Sequence, residues 1–138
     1  MEGPKKQKVV GAFEEVHFPE FNMNDIRAKI DTGAFTGALH CTKIHEESEN
    51  GKKVLYFSPF DHPELVFRTV DFEEGKVRSS NGYQTERYFI ETSIVLRKRR
   101  YTITLSLANR SEMKWPLIIG RRFLRANEFV VDVSRRRK

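Results

Sequence analysis

The chain has 138 residues, a net charge of +6 at neutral pH and a pI near 9.6. That length suits one domain with a core large enough to stand without staples, and the single cysteine, Cys41, excludes an intrachain disulfide. With no secretory leader and no apolar run long enough for a bilayer, the expectation is a reduced, cytoplasmic protein.

In chain order, residues 1–8 read as a disordered lead-in, 9–134 as the folded domain and 135–138 as a basic tail. Residues 9–18 are extended, 19–24 a turn, 26–30 a strand and 39–44 the next strand. Residues 46–53 form a charged loop around Asn50-Gly51, a hairpin dipeptide. Strands follow at 54–57 and 65–72, set apart by Pro59 and Pro63. The clearest pattern comes later. Tyr88, Ile90, Thr92, Ile94 and Leu96 share one face, and Tyr101, Ile103, Leu105 and Leu107 alternate with Thr102, Thr104 and Ser106. Period two over that length means strands buried on one face. The basic block Arg97 to Arg100 between them is then a hairpin tip. Only residues 120–127 look helical, for one or two turns, and 129–133 return as a strand. Many short strands at this spacing predict an all-β closed barrel or sandwich.

The candidate chemistry starts at Asp31, Thr32 and Gly33, which end the strand-like run 26–30. Gly33 lets the backbone turn and approach a neighbour closely, and the Thr32 hydroxyl can lock the loop. One carboxylate is a weak catalyst at neutral pH. Two held about 3 Å apart cannot both ionise and share a proton, so one serves as base on a water and the other as hydrogen-bond donor. The chain has one such triplet, so a dyad needs a second copy in a twofold homodimer. The competing reading is a carboxylate that caps a turn. A second apolar segment, Leu117, Ile118 and Ile119 ending in Gly120, lies 89 residues downstream of Asp31, counted to the glycine.

Asp31-Thr-Gly-Ala34 and Ile118-Ile-Gly-Arg-Arg-Phe-Leu124 together resemble the two signatures of retropepsin-like aspartic proteases. The resemblance implies a β-barrel of the acid-protease type with one short C-terminal helix, a homodimeric active form and a flap that closes over peptide. A narrower resemblance runs from residue 9 to 133. Ala28 to Ala34, Ala38-Leu-His40, Val77-Arg-Ser-Ser80, Arg87-Tyr88, Asn109-Arg-Ser-Glu-Met113, Gly120-Arg121 and Val131-Asp132 are similar to a bacterial family named for ATP-dependent zinc proteases. Members of that family accompany RimK-type ATP-grasp glutamate ligases. Neither half of that name follows from the residues. There is no His-Glu-x-x-His zinc helix and no phosphate-binding glycine loop. His40, Cys41 and His45 are the nearest metal candidates but lack a fourth ligand, so no metal and no cofactor is expected.

The resemblance implies Asp31, Thr32 and Gly33 as the catalytic loop. For substrate it implies Ala34, Ile119 and a flap at residues 76–84 carrying Arg78, Ser79, Ser80, Asn81 and Gly82, against the plainer reading of a surface hairpin. Viral retropepsins place an acid after Asp-Thr-Gly-Ala that pairs with the arginine of the second segment. Here that position is Phe35, so Arg121 needs another partner, such as a carboxylate across the dimer. Gly37 is expected to loosen the turn. Trp115 and Met113 read as core, and residues 110–112 as a turn with an ion pair. The basic blocks suit an acidic substrate such as a glutamate tail. The alternative is a non-catalytic module that binds acidic peptide or RNA.

Overall fold

The computed structural model describes residues 7–78, 82, 84–109 and 114–135. Eleven strands and one short α-helix are built from them: β1 (Lys8–Val10), β2 (Phe13–Phe18), β3 (Met23–Ile30), β4 (Gly37–Glu49), β5 (Lys52–Pro59), β6 (Phe67–Thr69), β7 (Phe72–Arg78), β8 (Gln84–Leu96), β9 (Arg99–Ala108), β10 (Leu117–Ile119), α1 (Arg121–Ala126) and β11 (Phe129–Val131). The fold is mostly β, as the alternating sequence predicts.

Nine strands form one sheet in the order β10-β3-β2-β8-β9-β4-β5-β6, with β7 on the flank of β8. The short β10 also pairs with β4, so six strands close into a hydrogen-bonded ring. β1 and β11 make a separate parallel pair. The ring is filled by the period-two faces read from the sequence. Ile90, Ile94 and Leu96 of β8 and Ile103, Leu105 and Leu107 of β9 are buried there, with Leu39, Leu117 and Ile119. Each such side chain contributes roughly 1.5–3 kcal/mol on leaving water. Phe18, Phe21, Phe57, Phe60 and Phe67 pack edge-to-face and stacked under β5 and β6.

Several boundaries differ from the sequence reading. Residues 46–53 are not a loop: β4 and β5 run through them and meet at Asn50-Gly51, both at positive φ (54° and 80°). The charges there sit across the two strands and their neighbour, where Glu49 accepts from Tyr56 and from Arg68, the latter at 3.0 Å. The strand expected at 65–72 shrinks to Phe67–Thr69, leaving Leu65, Val66 and Val70 exposed. Lys8 belongs to β1 rather than to a lead-in, and residues 9–18 break at Gly11 and Ala12. The Arg97–Arg100 block is a hairpin tip, with Arg97 and Lys98 in the left-handed region. Met113 and residues 110–112 lie outside the described residues. Trp115 packs on Phe13 at 4.6 Å, with the Arg27 guanidinium over both rings.

Candidate active site

Asp31 is the first residue after β3, and residues 31–36 carry the chain back into β4. Between those two strands lies β10, parallel to β3 and antiparallel to β4. This placement fixes the loop from below. The Asp31 N–H donates to the Ile119 carbonyl (2.9 Å), and the preceding Ile30 N–H donates to Ala12 (2.9 Å). From above, the first turn of α1 supplies donors that have no partner inside the helix. The Arg121 N–H reaches the Ala34 carbonyl (2.8 Å) and the Arg122 N–H reaches Phe35 (2.9 Å). The half-buried Asp31 turns its Oδ1 onto the Gly33 N–H at 3.0 Å, which sets the carboxylate over the turn.

Two glycines make this contact possible. A Cβ at Gly120 would lie 2.6 Å from the Phe35 carbonyl oxygen and 2.8 Å from that of Ala34. One at Gly37 would lie 2.1 Å from the Ile118 oxygen. Gly120 therefore lets the start of α1 lie against the main chain of residues 34 and 35. Gly37 does the opposite of loosening the turn, because it lets β4 close on β10. Gly33 is not at positive φ, so its turn needs no left-handed backbone.

Arg121 finds its partners within the loop. Its Nη1 donates to the carbonyls of Gly33 (3.1 Å) and Thr32 (3.4 Å), and its guanidinium lies 5.4 Å from the centre of the Phe35 ring. A cation–π contact thus stands where viral retropepsins have their ion pair, and the substitute partner of Arg121 is the loop itself. The signal was in the sequence, as an aromatic at the position of the missing acid.

A cleft of about 790 Å³ opens beside the loop, between Phe35 and Thr36 on one side and β7 and β8 on the other. Its lining adds the apolar Val70, Phe72, Phe89 and Ile90, and the charged Asp71, Glu73, Glu74, Glu91, Lys76 and Arg122. Carboxylates outnumber cations there, so the positive charge expected at a substrate site is not in this cleft. β7 and β8 form the hairpin expected for a flap, paired out to Arg78 and Gln84, with Gly82 at φ 83° in the connection. Ser79, Ser80, Asn81 and the Arg78 side chain lie outside the described residues. The Ile119 side chain is fully buried, so it acts on the loop through its carbonyl rather than on a substrate.

The three metal candidates are engaged separately. His40 is buried with Nε2 3.2 Å from Asp61, and His45 is exposed with Nε2 2.9 Å from Glu47. Cys41 is fully buried, which pushes its thiol up to about 12. Among the described residues no group of three or more His, Cys, Asp or Glu could hold a metal ion.

A mostly β fold in which one short strand and one short helix grip an Asp-Thr-Gly loop is that of a retropepsin-like domain. Comparison with known proteins narrows the class. The model of the RimB-like family, described as "Retropepsin-like aspartic endopeptidase RimB", matches residues 9–138, and the chain belongs to that family. A protein of Desulfotalea psychrophila is 30% identical over 122 residues, covering 83% of this chain, and one of Shewanella pealeana is 27% identical over 131 residues, covering 91%. Both carry the name "Probable alpha-L-glutamate ligase", and the chain spans only 26% and 28% of their lengths. Among solved structures, Lpg0085 of Legionella pneumophila, a protein of unknown function, superimposes with a TM-score of 0.74 at 27% identity, covering 94% of this chain and 96% of that one. No helix among the described residues is long and apolar enough to cross a membrane.

Proposed function

We propose that this chain is an aspartic-type peptidase, active as a homodimer in which Asp31 of each copy supplies half of a carboxylate dyad. The observation that carries the reading is the loop itself. Its backbone is tied on one side to Ile119 and on the other to Arg121 and Arg122, so Asp31 is held rigidly on a short turn. In this reading the six-stranded ring is the acid-protease barrel. The ionised carboxylate takes a proton from water as the water oxygen attacks the scissile carbonyl carbon. The protonated carboxyl donates its hydrogen bond to the carbonyl oxygen, and the leaving nitrogen departs with a proton. Thr32 and Gly33 shape the loop, Ala34 borders the substrate, and the segment 76–84, with Arg78 to Gly82 at its turn, closes over it. No metal or nucleotide takes part.

The relatives named as glutamate ligases support a glutamate-rich peptide or isopeptide as substrate and a functional link to an ATP-grasp ligase; the proposed place of action is the cytoplasm. The test is Asp31→Asn assayed on an oligoglutamate peptide by mass spectrometry. Cleavage should vanish while circular dichroism stays unchanged; a variant that still cleaves defeats the proposal. One observation favours a second reading: the chain matches about a quarter of proteins named as ligases, which suits a non-catalytic module serving such an enzyme. Wild-type protein that is monomeric in sedimentation and cuts no peptide would decide for it.

A further inference from the structure

Two basic segments far apart in sequence meet in space. Arg97 and Arg99 of the β8–β9 tip, Lys8 of β1 and Arg135 after β11 line one groove of about 640 Å³ with Tyr101 and Phe129. Two of these cations already have carboxylate partners. Glu14 is 2% exposed and accepts from Arg97 Nη2 at 2.7 Å, and Asp132 lies 3.3 Å from Arg135 Nε. Lys8 Nζ stands 5.5 Å from the Tyr101 ring centre and 5.6 Å from that of Phe129, and donates to the Asn127 carbonyl at 3.2 Å. Arg99 is exposed at the rim.

We infer that this groove is an exosite for an acidic peptide segment, separate from the cleft beside Asp31. Four cations set against Glu14 and Asp132 leave the channel positive, the excess carried by Lys8 and Arg99, which suits an acidic segment. The aromatic faces are covered by Lys8, so they offer no free platform for stacked bases, and nucleic acid is the poorer fit. The groove is also wired to the loop. The Arg135 carbonyl accepts from the Ala12 N–H (2.9 Å), and the Ala12 carbonyl accepts from Ile30, the residue before Asp31. An acidic chain held here is tethered to the domain by cations that the cleft beside Asp31, itself richer in acids, does not supply. The exosite role rests on the peptidase reading; the binding does not.

The test therefore uses the full-length Asp31→Asn chain. Labelled oligoglutamate, oligoglutamine and single-stranded RNA of equal length are titrated by fluorescence anisotropy at low and physiological salt. Oligoglutamate should bind with an affinity that falls as salt rises, and oligoglutamine should not bind. Arg99→Glu, at an exposed tip, should weaken oligoglutamate by about fivefold or more, with Lys8→Gln as the second variant and a thermal melt as the folding control. Unchanged affinity in Arg99→Glu overturns the inference, and so does RNA binding tighter than oligoglutamate. A failed peptidase reading shows up in the cleavage assay and leaves these titrations unmoved.

Discussion

Replacing Gly120 by alanine tests how the loop of Asp31 is held. The added Cβ would sit 2.6 Å from the Phe35 carbonyl oxygen, 2.8 Å from that of Ala34 and 2.9 Å from the Phe35 carbonyl carbon. Ordinary contact begins near 3.4 Å, so the two backbones must part by about 0.8 Å. All three obstacles are main chain, and no flexible side chain can swing aside. The same separation stretches the hydrogen bonds that the Arg121 and Arg122 N–H groups donate to Ala34 and Phe35, now 2.8 and 2.9 Å, beyond useful length. Overpacking of this kind costs about 1–3 kcal/mol, and two weakened hydrogen bonds add roughly 1 kcal/mol. For a domain of this size the sum lowers the melting temperature by about 10 °C. Calorimetry on the Gly120→Ala protein measures it, with Gly33→Ala as comparison, because a Cβ at Gly33 meets nothing closer than the Asp31 carboxylate at 3.2 Å. A Gly120→Ala protein that melts within about 2 °C of the parent would refute the reasoning.

Burial holds Cys41 protonated, with its thiol raised from 9.0 to about 12. Native protein at pH 8 should resist a thiol reagent and react stoichiometrically once unfolded; rapid native labelling would contradict the burial. The sign for stability follows from the same shift: the unfolded thiol ionises above pH 9.0 while the folded one does not, so stability falls between pH 9.0 and about 12. Arg97→Asn keeps a residue suited to the left-handed backbone at that position but removes the guanidinium from buried Glu14. It should cost about 2–3 kcal/mol in urea titrations, less than for a fully buried pair because Arg97 is partly exposed. Adding Glu14→Gln should restore much of that loss.

Much of the fold was legible because burial on one face imposes period two, as in β8 and β9. Asn50-Gly51 marked its hairpin, although the charges around it masked two strands: Glu46 to Lys53 are polar because both faces there are wet, a case that alternation cannot distinguish from a loop. The loop of Asp31 and the glycine of its supporting strand were readable as motifs. What supports them was less so. That Ala12 holds Ile30, or that Gly37 makes room for Ile118, depends on contacts between elements far apart in sequence, and a glycine's spacing carries no label for its neighbour. The stacking of Arg121 on Phe35 was half legible, since the sequence shows Phe35 in place of the acid but not that its ring meets the guanidinium. The groove between Lys8, Arg99 and Arg135 was invisible, because blocks separate in sequence gave no hint that they converge.

The insertion of β10 between β3 and β4 also sets the order in which the molecule can be finished. Ala28 pairs with Leu117 and Ile30 with Ile119, each pair 89 residues apart, and every main-chain tie from below and above the loop comes from residues 117–122 or from Ala12. Closing so long a span is entropically slow, and on the ribosome those residues emerge well after β3 and β4. A nascent chain that stops short of them has β3 and β4 but no strand to place between them. The loop around Asp31 is therefore shaped only once residues 117–122 have been made, which keeps a chain stopped short of them from presenting a formed loop.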